Sequence, residues 1–161
     1  MPRPALRALA LVALLTVPAA AVTPTIDVPV KLKRARAAFN IDQALVDGDR
    51  PVVFVWLDVI LGHFATWRTH AKLIGVLHGP AGVWALTDAA WERVTGKAGG
   101  NPYAAELSAL QERGVRFEIC AYTLEANGWT NADLLPGVQV TTGAIVRLIE
   151  LRQHGWTVLQ P

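Results

Sequence analysis

The sequence Lys72-Leu-Ile-Gly-Val-Leu77 is an almost unbroken apolar run that is followed at once by His78-Gly79-Pro80. Such a run is typical of a strand that is covered on both faces, as strands in parallel sheets are. The glycine and proline directly after it mark the start of a loop. This stretch therefore predicts an inner strand of a parallel sheet that ends at His78.

Short apolar segments recur on both sides of this strand and alternate with helical patterns. The other predicted strands are 37–41, 115–120, 138–141 and 156–159. The predicted helices are 51–69, 82–94, 102–113, 123–127 and 143–154. This alternation predicts one α/β domain with a mostly parallel sheet of about five strands, helices on both faces and right-handed crossovers.

Two of these helices have apolar patterns that predict how they pack. Helix 51–69 is apolar nearly all round, so either it is a core helix or one of its sides contacts another subunit. Helix 143–154 is amphipathic. We expect its inward residues to be Ile145, Leu148 and Ile149, and its outward residues to be Arg147, Glu150 and Arg152.

The N-terminus has the three parts of a secretory signal peptide. A short basic start is followed by an apolar stretch at 8–17 and by the small residues 19–21, where we expect cleavage after Ala21. The apolar stretch is too short to span a bilayer, although an N-terminal anchor is the alternative. We therefore predict a signal peptide at 1–21, an N-terminal arm at 22–36, a domain at 37–161, and a periplasmic or secreted protein.

Charge and motifs exclude several classes of partner. Cleavage removes two arginines and no acid, so 13 of the 15 basic residues remain against 13 acidic residues. None of the basic segments indicates that the protein binds nucleic acid. We expect no membrane contact after signal cleavage. The glycines at 99–100 lack the following lysine of a phosphate-binding loop, and the histidines at 63 and 70 lack a third metal ligand. We expect no cofactor and no metal.

Cys120 is the only cysteine of the chain and ends the predicted strand 115–120. In an oxidising compartment a single cysteine is shielded in the core, paired between chains, or a working thiol. The absence of a second cysteine argues against a dithiol oxidoreductase. A buried cysteine that acts as a small apolar residue is the simpler alternative to a working thiol.

Polar residues follow several of the predicted strands. Ligands of open parallel sheets bind beyond the carboxyl ends of the strands, so these residues form the candidate site. They are Asn40, Asp42, His78, Gly79, Cys120 and Thr123, together with the helix N-terminus at Thr141-Thr142-Gly143. Among them, Cys120 is the candidate nucleophile and His78 the candidate acid or base, although a loop histidine can equally be only solvated.

The stretch from Leu73 to Pro161 resembles the DsrE/DsrF-like proteins. The motifs that carry the resemblance are Gly75-Val-Leu-His78-Gly79, Asn101-Pro102-Tyr103, Cys120 with Thr123 and Asn127-Gly128, Asn131-Ala-Asp-Leu-Leu-Pro-Gly137, and Phe39-Asn40-Ile41-Asp42 for the first strand. The resemblance implies a three-layer α/β/α sandwich and a homo-oligomer. It also implies that Cys120 carries sulfur as a persulfide, and it adds Asn127 to the binding residues. Sulfur relays of this family are cytoplasmic, whereas this chain is predicted to be exported.

Two hypotheses of function remain. In the first, the protein is a periplasmic sulfur carrier or a sulfurtransferase-like protein that uses Cys120, and its partner is a sulfur donor or acceptor protein or a small sulfur compound. In the second, it is a non-enzymatic module that binds a small ligand or forms an oligomeric scaffold, and Cys120 is structural. Accessibility of the Cys120 thiol in the folded protein distinguishes the two.

Overall fold

The computed structural model describes residues 24–161, and the predicted signal peptide lies outside the described residues. The strands are β1 Arg34–Ile41, β2 Val46–Asp47, β3 Arg50–Pro51, β4 His70–Leu77, β5 Val115–Cys120, β6 Gln139–Thr141 and β7 Thr157–Leu159. The α-helices are α1 Val52–Trp67, α2 Asp88–Thr95, α3 Ala104–Glu112, α4 Ala121–Asn127 and α5 Ala144–Gln153. Two 3₁₀ segments lie at Gly79–Ala85 and Asn131–Asp133. Residues 24–30 contain no helix or strand.

Five strands form one sheet in the order β6-β5-β4-β1-β7, and every neighbouring pair is parallel. The predicted parallel sheet is therefore confirmed. The short strands β2 and β3 form a separate antiparallel hairpin with its turn at 48–49. None of the helices in residues 24–161 has the length and apolar content that a membrane span requires.

The two faces of the sheet carry different layers, because alternate residues of a strand point to opposite faces. One face packs against α1, α2, α3 and the first 3₁₀ segment, with Phe39, Phe117 and Trp84 in its core. The other face contributes Ala38, Ile74, Val76 and Cys120, and the helical residues packed against it all come from α5. The protein is thus an α/β/α sandwich, and Cys120 lies on the thinner side.

Gly75 lies at the centre of β4, in register with Phe39 and Phe117. A Cβ at this position would lie 2.8 Å from the ring of Phe117 and 3.0 Å from Cδ1 of Ile41. Both neighbours are buried in the core, with 0% exposure for Phe117 and 2% for Ile41. The absence of a side chain at Gly75 is therefore what makes room for the Phe117 ring.

We expect Gly75→Ala to lower the free energy of unfolding by about 1–3 kcal/mol, the usual cost of overpacking a core. Urea denaturation followed by circular dichroism measures it. The control is Gly62→Ala in α1, where nothing lies within 4 Å of the added methyl group. That change should stabilise the protein by about 0.5–1 kcal/mol, because glycine weakens a helix interior. Equal effects of the two substitutions would contradict the packing argument.

Several predicted boundaries are wrong, among them the following three. Strand β1 begins at Arg34 and not at residue 37, because Arg34–Arg36 pair with His70–Lys72 of β4. The predicted helix 82–94 is two elements, and Thr87 begins the second by accepting a hydrogen bond from the backbone N–H of Ala90. Helix α3 begins at Ala104, two residues later than predicted.

The predicted inward face of α5 is wrong in part. Leu148 is buried as expected, whereas Ile145 and Ile149 are 60% and 53% exposed. Arg147 turns toward the sheet instead, where its Nε and Nη2 donate to the two carboxylate oxygens of Glu118 at 2.7 and 2.9 Å. Glu118 on β5 is 4% exposed, and a carboxylate so deeply buried needs a cation beside it. This pairing sets the rotation of α5 about its own axis.

Helix α1 is not buried all round. Its residues Val53, Phe54 and Leu57 pack in the core, whereas Trp56 and Val59 are 44% and 55% exposed. The interpretation of α1 as a core helix is therefore wrong for the single chain. One apolar side of α1 remains open to solvent in the single chain.

Candidate functional site

The register of the sheet brings His78 and Cys120 to neighbouring positions. Leu77 of β4 pairs with Ile119 of β5, and each candidate residue comes directly after this pair. Neighbouring strands lie about 4.8 Å apart, so the two backbones are adjacent at this point. Cys120 in turn pairs with Thr141 of β6, which places the start of α5 beside it.

An open cleft of about 400 Å³ lies at this edge of the sheet. Its lining residues are His78, Gly79, Cys120, Tyr122, Thr123, Ala126, Asn127, Gly143, Ala144, Ile145 and Val146. Five of the predicted site residues are therefore together in its wall. The other two, Asn40 and Asp42, lie one strand further along and reach the cleft only through hydrogen bonds to His78 and Gln160.

Cys120 is a free thiol and is 6% exposed. It ends β5 in an extended conformation and directly precedes α4. Its side chain packs with Ala144 and Leu148 on the α5 side of the sheet. Cys120 is therefore a buried residue that also forms part of the cleft wall.

His78 is half-buried and takes part in a chain of hydrogen bonds. Its Nε2 lies 2.7 Å from Oδ1 of Asn40. The Asn40 Nδ2 donates to Oε1 of Gln160, and the Gln160 Nε2 donates to Oδ1 of Asp42 at 2.8 Å. Burial lowers the pKa of His78 below its ordinary value of 6.5, and the nearby charge of Asp42 opposes this only in part. The ring is therefore neutral at pH 7.

Thr123 and Asn127 tie the loop after β4 to α4. The Thr123 Oγ1 accepts a hydrogen bond from the backbone N–H of Gly79 at 3.0 Å. The Asn127 side chain donates to the backbone carbonyl of Thr123 at 2.8 Å. A Cβ at Gly82 would lie 2.8 Å from the Thr123 methyl group, so this glycine lets the two segments approach. Both residues thus shape the cleft.

The first turn of α5 forms the remaining wall. The helix begins after Gly143, and among the described residues no side chain caps its first turn. Tyr122, which is 67% exposed, packs on Gly143, where a Cβ would lie 3.3 Å from its ring. Free N–H groups at a helix N-terminus give a positive partial charge, which favours an anion.

Sequence reasoning missed two features of the site. One is the exposed apolar rim that Ile145 and Val146 form with Tyr122, since the amphipathic pattern of α5 predicted that Ile145 faces inward. Gln160 enters the hydrogen-bond chain only because β7 pairs with β1, with Leu159 opposite Phe39. No local signal marks that pairing, since it joins the two ends of the domain.

The residues of the cleft suit thiol chemistry. No carboxylate is among its lining residues, so nothing there repels an anion. The cleft brings together the Cys120 thiol, a histidine that can accept a proton and the N-terminal turn of α5. Within residues 24–161 no three side chains of the His, Cys, Asp or Glu type lie close enough to hold a metal ion.

Comparison with known proteins places the fold in a family. The chain is similar in structure to MTH1491 from Methanobacterium thermoautotrophicum, a protein of unknown function, with a TM-score of 0.62, 24% identity, and coverage of 79% of this chain and 99% of that chain. It is also similar to the ychN protein from E. coli, with a TM-score of 0.50, 16% identity and the same coverage. No curated protein matches it. The profile of the DsrE/DsrF-like family matches residues 28–161, and the chain belongs to that family.

Proposed function

We propose that the protein is a sulfur carrier in which Cys120 holds one sulfur atom as a persulfide. The observation that carries the proposal is the position of the single cysteine, in the wall of an open cleft next to a neutral histidine. Membership of a family that includes sulfur-relay proteins supports it. In this proposal Tyr122, Thr123 and Asn127 shape the space in which the transferred sulfur sits.

The chemistry is a sulfur transfer that needs no outside oxidant or reductant. The Cys120 thiolate attacks the outer sulfur of a donor such as thiosulfate, and a new S–S bond forms at Sγ. The S–S bond of the donor breaks, and its electron pair leaves with sulfite. In the second step an acceptor thiolate attacks the outer sulfur of the persulfide, and Cys120 leaves as a thiolate.

The proposal places this carrier in the periplasm, on the strength of the signal-peptide pattern at residues 1–21. It also includes self-association, because two apolar surfaces remain open in the single chain. One comprises Trp56 and Val59 on α1, and the other Ile145 and Ile149 on α5. Exposed apolar residues in such groups are typical of contact surfaces.

Incubation of the purified protein with thiosulfate or polysulfide, followed by intact mass measurement, tests the carrier function. We expect the wild-type chain to gain the mass of one sulfur atom and to lose it on treatment with cyanide, which removes outer sulfur atoms. Because Cys120 is the only cysteine, Cys120→Ser should gain nothing. An adduct of equal size in Cys120→Ser, or none in the wild type with either donor, would refute the proposal.

A second candidate is a non-enzymatic module that binds a small ligand or assembles a scaffold. The low exposure of Cys120, 6%, favours it, because a recessed thiol can serve as an apolar wall residue. This candidate predicts that native Cys120 does not react with alkylating reagents. Rapid native labelling would weigh against this candidate and favour the carrier.

A further inference from the structure

The four side chains of Asp42, Gln160, Asn40 and His78 form one continuous chain of hydrogen bonds along the carboxyl edge of the sheet. They come from the ends of three neighbouring strands, β7, β1 and β4. Gln160 is the central link, since it is the only one of them that contacts both Asn40 and Asp42. It lies next to the last residue of the chain and is exposed, so it contributes little to the core.

Asp42, the first member, fixes which group donates and which accepts at every step of the hydrogen-bond chain. A carboxylate has no hydrogen to donate, so Asp42 can only accept, and Gln160 must turn its NH₂ group toward it. The carbonyl oxygen of Gln160 then faces Asn40, which must donate a hydrogen bond from its NH₂ group. The carbonyl oxygen of Asn40 faces His78, so the ring must donate from Nε2.

A neutral imidazole carries one hydrogen and one free lone pair. When Nε2 holds the hydrogen, Nδ1 is the acceptor. His78 and Cys120 both line the cleft, so the imidazole and the thiol belong to residues of one site. The opposite tautomer would leave Nε2 and the Asn40 oxygen facing each other as two acceptors.

We propose that Gln160 and Asp42 are positioning residues that set the tautomer of His78 through Asn40 and so keep Nδ1 free to accept the proton of the Cys120 thiol. In this step the S–H bond breaks, the electron pair stays on sulfur, and the proton moves to Nδ1. The thiolate and an imidazolium result, so charge and protons balance. The tautomer itself is a property of the hydrogen-bond chain alone, whereas its use in sulfur transfer rests on the proposed function.

Long-range ¹H–¹⁵N NMR of the ¹⁵N-labelled full chain at neutral pH reads the tautomer directly. A His78→Gln spectrum identifies the His78 signals among those of the four histidines. We expect the wild type to show hydrogen on Nε2. In Gln160→Leu the ratio of the two tautomers should fall by about fivefold, the equivalent of one hydrogen bond.

The double variant Gln160→Glu/Asp42→Asn is the matched control, because the new amide at position 42 can donate to the new carboxylate at position 160, which still accepts from the Asn40 NH₂ group and so keeps Asn40 turned the same way. We expect this variant to retain hydrogen on Nε2 and to alkylate Cys120 faster than Gln160→Leu does. Hydrogen on Nδ1 in the wild type, or an unchanged tautomer in Gln160→Leu, would overturn the assignment. If the tautomer changes in Gln160→Leu but Cys120 is alkylated at the same rate in that variant and in the control, the acceptor role of Nδ1 is overturned. Since none of these measurements involves sulfur loading, failure of the carrier function is distinguishable from failure of this inference.

Discussion

Arg147→Met is expected to lower the free energy of unfolding by about 3 kcal/mol, because it leaves the buried Glu118 carboxylate without its main cation. The Arg147 side chain is 21% exposed and that of Glu118 is 5% exposed, so water cannot replace the lost contact. The cost stays at the lower end of the usual range since Arg116 also contacts Glu118, at 3.0 Å. Urea denaturation monitored by tryptophan fluorescence measures the change.

The double variant Glu118→Leu/Arg147→Met separates the role of the charge from that of packing. Replacing both members of a buried ion pair by apolar residues is often neutral, so most of the lost stability should return. Glu150→Gln is the control, because the Glu150 carboxylate that contacts Arg147 is exposed. Its loss should barely change the urea concentration at the midpoint of unfolding. A double variant as unstable as Arg147→Met would contradict this account of how α5 is held.

Ala126→Trp is expected to slow native alkylation of Cys120 by about tenfold or more, because reaction at a thiol requires access to it. Ala126 is exposed on α4 and lines the cleft, so a large side chain there covers the path to the sulfur without entering the core. The measurement is the rate of labelling by a maleimide, followed by intact mass under native conditions.

Glu125→Trp is the matched control for the Ala126→Trp substitution that covers the cleft. It adds the same side chain to the neighbouring exposed position of α4, which does not line the cleft, and should leave the rate of labelling unchanged. In urea all three chains should label at one rate, because each contains the same single cysteine. Equal native rates for Ala126→Trp and the wild type would mean that reagents reach Cys120 by another route.

The candidate site shows how far local patterns lead. His78 and Cys120 were predicted to lie together because each follows an apolar strand, and parallel strands end at one edge of the sheet. Predicting that these two residues are neighbours required no knowledge of side-chain packing. Asn40 and Asp42 were also placed at this edge, yet their link to His78 depends on the Gln160 amide, which no pattern near Gln160 indicates.

The sequence by itself determined the alternation of strands and helices, the parallel sheet and the set of residues at its carboxyl edge. Such features follow from the spacing of apolar residues and from turn-forming glycines and prolines, which act within a few residues. Only the tertiary structure decided that β7 lies beside β1 and that α5 turns Arg147 inward and Ile145 outward. Both depend on contacts between residues far apart in the chain, and the second follows from a buried carboxylate whose need for a cation outweighs the burial of two isoleucines.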